Sequence, residues 1–352
     1  MSFVTAYVEK RTKKNTFFKN INTLIDWAPI EKEINKVYKK GEDVVGRKAY
    51  SGLLLFKMSL LQTWYNLSDP AVEEMVNDSL SASKFCGLSV EDDVPDHSVI
   101  SRFRKELTEK KAYDRLLRKI NKQLKNHDII VKSGSAKIDA SITETPLKPK
   151  GKTTYEVAVD RDEDNREEKD KDDEDNHQQL LKIIKPGVDT EGRWLKKGGK
   201  TVYGYKKQIA VDKKRMVLGV HTTTANEHDS KGLKPLLKKL GEKEIQDGVF
   251  TDKGYKVPDN DELLKEKGIK NRIQHKAYRN RPLTKWQIKF NKLISKQRYV
   301  VERTFGGMKR WFGAGIARYR GKAKMHTQHV MEAIAYNLFR APGIIASKPI
   351  KT

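Results

Sequence analysis

Apolar and polar positions follow two different periods along this chain, and the change falls near residue 129. Ahead of it the spacing is helical. Residues 1–45 read as short polar helices whose buried contacts are Ile21, Leu24, Ile25 and Trp27. The run 51–65 is apolar nearly all round, which predicts a helix at the centre of an all-α unit. Ser68 is placed to cap a helix that has Asp69 in its first turn, Pro70 early enough to be tolerated, and 71–80 as its continuation. Asp96 or Ser98 caps the next, whose apolar face is Val99, Ile100, Phe103 and Leu107; Ser101, Arg102, Arg104 and Lys105 are left outward. A long basic helix over about 111–126 ends this region.

Beyond residue 129 short β-rich segments take over. Residues 129–131 and 135–141 predict a strand with Asp139 near its carboxyl end. A loop-rich insertion covers 146–200, and 201–212 and 216–224 form an antiparallel hairpin across the turn 213–215. Asp229 or Ser230 caps a helix through Leu233, Leu236, Leu237 and Leu240. A strand over 248–252 ends in Asp252, with a helix near 259–267 and a strand near 270–274 after it. Thr284 starts a long helix that buries Trp286, Phe290, Ile294, Val301 and Phe305 and carries Glu302. Gly306 and Gly307 predict a break or a close backbone approach just past Glu302. The last helix, 326–340, has Val330, Ile334 and Leu338 as its apolar line. The architecture expected is α/β: a helical N-terminal domain over 1–128, then a mixed sheet flanked by helices over 129–345.

Charge narrows the function. The 352 residues carry a formal +25, which points to a polyanionic partner, nucleic acid first. Residues 160–176 hold eleven acids and four bases, a net of −7, and read as a solvated flexible linker, so the remainder carries +32. Cys86 is the only cysteine, which excludes an internal disulfide and a thiolate metal cage and fits a reducing compartment. With no 18-residue apolar run and no signal-type N-terminus, a soluble, cytoplasmic, nucleoid-associated protein is expected. The helices over 50–107, ending in a basic one, resemble a helix-turn-helix, which makes Arg102, Arg104 and Lys105 candidate DNA contacts.

Three carboxylates stand out. Glu302 is the only acid between Lys267 and Met331, and residues 276–324 carry fifteen Lys or Arg. On a helix Arg298, Glu302 and Lys309 share nearly one face; read blandly, Arg298 and Glu302 form a surface ion pair worth a few tenths of a kcal/mol. Asp139 and Asp252 lie at strand ends, where a turn cap is the usual role of a single Asp. Taken together, two Asp from one sheet and a Glu from a helix packed on it can converge on hard divalent ions, Mg²⁺ or Mn²⁺. Two such ions activate the attacking oxygen and stabilise the leaving one in an in-line displacement. Among the histidines, His97 reads as a cap or surface residue, His221 and His228 as structural, and His326 and His329 as surface.

The segment from Arg298 through Glu302 to Lys309 resembles the third-acid signature of the DDE transposases of bacterial insertion sequences, in the insertion-sequence-four and insertion-sequence-five groups. Residues 251–255 are similar to that family's second-acid motif and 137–141 to its first, and further likenesses run through 53–61, 66–69, 95–98, 204–206 and 225–230. The likeness covers about residues 45–340; one departure is Ser295, where the family often has tyrosine. The resemblance implies an RNase H-like catalytic domain with Asp139, Asp252 and Glu302 as metal ligands, and Arg298 and Lys309 on the transposon-end DNA. Lys253, Tyr255 and Arg310, beside the acids, join the expected DNA contacts. It also implies cleavage at the element's ends, strand transfer into target DNA, and a dimer on DNA. Two alternatives stay open: an RNase H-like nuclease that only hydrolyses, and a transposase-derived DNA-binding protein without catalysis.

Overall fold

A computed structural model of the chain describes residues 16–39, 49–151, 187–241 and 244–347, with the backbone of 154–159 and 179–184. The acidic run 160–176 lies outside the described residues.

The first region is helical: α1 (Thr16–Leu24), α2 (Ala28–Asn35), α3 (Gly52–Trp64), α4 (Asp69–Asp78), α5 (Leu80–Cys86), α6 (His97–Glu109) and α7 (Tyr113–Asn126). Helix α3 is the buried centre its all-round apolarity predicts, and the Ser51 side chain caps it by accepting from Leu53 N–H. Ser68 caps α4 and Asp96 caps α6 in the same way. The short α5, which the periodicity does not foretell, is capped by Ser79 and closed by Gly87 in the left-handed region.

The sheet starts at β1 (Ser135–Glu144) and continues with β4 (Arg193–Lys197), β5 (Lys200–Val211), β6 (Val217–Thr224), β7 (Gly248–Thr251) and β8 (Asn271–Ile273). Residues 129–131 do not extend β1; Ile129 and Ile130 are buried contacts after α7 instead. Inside the insertion, β2 (Thr154–Val159) and β3 (Gln179–Ile184) pair as a separate antiparallel hairpin, and β4 pairs with the start of β5. Strands β1, β5 and β6 are mutually antiparallel neighbours, while β7 pairs parallel with β1 and β8 with β7. The order β6-β5-β1-β7-β8 is that of an RNase H-like sheet. Gly204 fixes one crowded point of it: a Cβ there would meet Thr143 O at 2.2 Å, and its φ is +156°.

After β6 come α8 (Leu233–Leu237), α9 (Pro258–Glu266), α10 (Lys285–Phe312) and α11 (Lys322–Ala346). The register puts Asp139, Ser141 and Thr143 on one face of β1 with Lys207 of β5 and Thr222 of β6. Helices α10 and α11 serve that face, through Arg298 on Asp139 and His329 on Thr143 and Thr222. The other face, carrying Ala210 and Gly219, meets Leu236 and Leu240. No helix among the described residues is long and apolar enough to cross a membrane.

Candidate active site

Asp139 is the fifth residue of the ten-residue β1, so it lies mid-strand rather than near the carboxyl end. The parallel pairing to β7 runs through Lys137 opposite Phe250, and two residues further on this register sets Asp139 beside Asp252. Asp252 leaves the strand extended and caps the 3₁₀ turn Lys253–Tyr255, its Oδ1 accepting from Gly254 N–H at 2.8 Å. The third group arrives on α10, whose start is a capping box between Thr284 and Gln287. Arg298 Nη2 donates to Asp139 Oδ2 at 2.8 Å and lies 3.8 Å from Glu302 Oε1. Its main partner is therefore the strand aspartate, not the helical neighbour the bland reading gives it.

Burial pushes the Asp139 carboxyl above its ordinary pKa; Arg298 and the Ala140 N–H work against that, and the nearby Asp252 adds to it. Tyr255 is fully buried, and its hydroxyl has no protein partner. Burial first, then the charges of Asp139, Asp229 and Asp252, hold it well above the usual phenol range, with Arg298 opposing. Asp229 does not cap the helix as expected: the His228 side chain takes that role, and Asp229 pairs with Lys206 at 2.7 Å. The donor set of Asp139, Asp252 and Glu302 is all oxygen, with a buried unsatisfied hydroxyl beside it, and so fits a hard divalent cation. The three do not draw their oxygens within 4.8 Å of one another; among the described residues only Glu73, Asp96 and His97 form so tight a group. Those three already bond locally, Glu73 accepting from His97 N–H and Asp96 capping α6.

The expected DNA contacts divide. Arg102, Lys105, Lys253, Lys309 and Arg310 are exposed. Arg104 is not outward: it is 9% exposed, donates from both Nη atoms to Asp69, and stacks on the Tyr319 ring. Tyr255, buried beneath the acids, offers DNA no surface either. Ser295, the departure from the family pattern, accepts from Gln274 Nε2 at 2.7 Å and ties α10 to the segment after β8.

Other readings are overturned. Helix α10 runs unbroken through Gly306 and Gly307 to Phe312, because Val301, Thr304, Phe305, Met308 and Phe312 keep its inner face packed. The close approach is real at Gly307, where a Cβ would lie 3.1 Å from both Trp311 and Tyr336. Trp286 is exposed and Phe290 half-buried, since the first turns of α10 have little beneath them. His329 is not a surface residue: it is fully buried, with ring nitrogens on Thr143 Oγ1 at 3.0 Å and Thr222 Oγ1 at 2.8 Å. His326 does have an acidic partner, Asp114, at 3.1 Å. Sequence reasoning also missed the buried Lys207–Glu332 ion pair, for which neither residue's surroundings give a local signal.

Residues 138–338 match the family described as the transposase DDE domain, and residues 6–106 match a second transposase domain family. A curated protein, the transposase for insertion sequence element IS1106 of Neisseria meningitidis serogroup B, is 34% identical over 241 residues, 68% of this chain and 76% of its own. No solved structure matches the chain.

Proposed function

The chain belongs to the DDE transposases, enzymes acting on DNA with divalent metal, and on that premise we propose that Asp139, Asp252 and Glu302 are its metal ligands, for Mg²⁺ or Mn²⁺. The observation that supports this most is the β1–β7 register, which carried two residues past Lys137 and Phe250 brings Asp139 beside Asp252, with Arg298 joining Asp139 to the Glu302 turn. Bound there, the metal supplies Lewis acidity at the scissile phosphate. The chain's own groups do the rest. Arg298 offsets the burial of Asp139 and so favours the carboxylate form that ligation needs. Lys309, Arg310, Lys253, Arg102 and Lys105 neutralise phosphates and set the register of the duplex.

The reaction is hydrolysis at the ends of the element, followed by attack of the freed 3′-OH on a target phosphodiester. One P–O bond forms as another breaks, and no covalent protein–DNA bond intervenes. Joining two ends requires two active sites, hence a homodimer on the terminal repeats, working on DNA in the bacterial cytoplasm. The residues 1–128 serve as the DNA-binding and dimerising part and 129–345 as the catalytic part.

Asp252→Asn removes a ligand charge while keeping shape. Cleavage of end-containing DNA should be abolished, with duplex affinity in a gel shift changed less than about threefold. Strand transfer retained by this variant would refute the assignment. Wild-type protein given a second duplex should yield joined product; cut ends alone would make it a hydrolytic nuclease.

A further inference from the structure

The first turns of α10 present an aromatic and basic surface that the acid site does not use. Trp286 is 64% exposed, with Ile288 and Leu293 more than half exposed on the same helix. Trp286 stacks on Phe290 with centroids 5.3 Å apart and planes at 21°, and His275 edges against both rings. Hydrogen bonds fix its place on the helix. Asn291 accepts from His275 N–H at 2.8 Å and donates to His275 O at 3.0 Å, and the capping box fixes the helix start. Residues 276–296 add seven Lys or Arg and no acid.

We propose that this surface binds unpaired nucleotides, Trp286 stacking on a base while the lysines follow the phosphates. Charge selects the partner: a second copy docking through the same face would oppose seven cations with seven, whereas a polyanion releases counterions from it. The rings select the form. In a duplex the faces of the bases are covered by their neighbours, so a side chain meets only edges; an exposed, preorganised ring finds a π-face only on a single strand. Position gives the origin of the strand. Trp286 and Glu302 are sixteen residues apart on one unbroken helix, about 24 Å at the rise of an α-helix. The strand is then one freed near the carboxylates, an inference that rests on the cleavage proposed above.

The test uses the full chain and a fluorescein-labelled single-stranded oligonucleotide of mixed sequence, with the blunt duplex of the same length as control. Trp286→Ala should weaken single-strand binding, read by anisotropy, by about tenfold or more while leaving duplex binding unchanged, and Trp286→Phe should restore most of it. Single-strand affinity equal to wild type in Trp286→Ala would overturn the proposal, as would an equal loss on both probes, which would mark an ordinary phosphate-contacting helix. So would self-association of the wild type, seen by sedimentation, that Trp286→Ala abolishes without changing single-strand binding. Because Trp286 is solvent-exposed, an unchanged thermal midpoint serves as the folding control. Asp252→Asn protein should bind the single strand like wild type. Loss of its cleavage therefore bears on the carboxylates alone, and failure of stacking leaves the carboxylate assignment untouched.

Discussion

Arg102 and Arg104 sit two residues apart on α6 and do opposite work. Arg104 turns inward, forks onto both oxygens of Asp69, reaches Gln62 and lies over Tyr319 at 4.4 Å from the ring centroid. Removing it strands a half-buried carboxylate. Arg104→Ala should therefore lower unfolding free energy by about 3–4 kcal/mol in urea titration, within the range for breaking a buried pair. Arg102→Ala should stay within about 0.5 kcal/mol of wild type and instead flatten the salt dependence of duplex binding by roughly one phosphate contact. The residue pattern of α6 does not separate the two, because helical spacing orients side chains relative to their own helix only. Whether an inward arginine is tolerable depends on Asp69, 35 positions upstream. Glu302 stands out in the sequence as the one carboxylate between Lys267 and Met331; Tyr255, read there as a DNA contact, fails for the same reason as Arg104. Burial is set by what packs above a residue, and a short motif does not carry that.

At the scale of the element, α10 shows what periodicity can and cannot give. Its cap at Thr284, its passage through Glu302 and its inner residues Ile294, Val301 and Phe305 follow from spacing and capping chemistry. Its inner face does not reveal where the layer beneath ends, so Trp286 and Phe290 fit the stripe yet extend past the packed body. Helix-breaking propensity likewise loses to packing at the glycine pair, as tertiary contacts outweigh about 1 kcal/mol per residue. The two glycines are nonetheless unlike. A Cβ at Gly306 meets nothing within 4 Å, so Gly306→Ala should raise stability by about 0.5–1 kcal/mol. At Gly307 the same atom presses on the buried Tyr336 ring, and Gly307→Ala should come out at least about 1 kcal/mol less stable than Gly306→Ala. Thermal midpoints of the two single variants decide it.

Across the whole molecule, the core does not stop at residue 129: one apolar cluster runs from α1 through α7 into the sheet and α11. Trp64 Nε1 donates to Ala335 O at 2.9 Å, and Asn337 Nδ2 donates to both Asn121 Oδ1 and Val217 O. Helices give way to strands between Asn126 and Ser135, a change that the period of the sequence carries, yet contacts between residues some 200 to 270 apart leave no local trace. The same packing confers acid sensitivity. Burial holds His329 well below its ordinary pKa, helped by Lys207 and His326, and pushes His221 down to about 4, with Lys239 and His326 adding. Both are neutral in the folded chain. Below about pH 6.5 the unfolded chain binds protons that the folded one refuses, so stability falls as pH falls. For a fully buried histidine the slope reaches about 1.4 kcal/mol per pH unit. His329→Gln should be less stable than wild type near pH 7.5 but lose less between about pH 6.5 and 5.5, as urea midpoints at those pH values will show.

The parallel pairing of β1 with β7 has a consequence for how such a site tolerates change. Of the candidate carboxylates, Asp139 lies within β1 and Asp252 directly follows β7, so the ladder that holds those strands roughly 4.8 Å apart places both, and that spacing is insensitive to most side-chain replacement. The third rides on a rod whose lead-in, 274–284, can lengthen without disturbing the ladder. A single residue inserted into β1 ahead of Asp139 would instead rotate that carboxylate through the sheet to the side lined by Leu236 and Leu240. Length variation in descendants of this gene should accordingly be absent from the strand and concentrated in the lead-in to the rod.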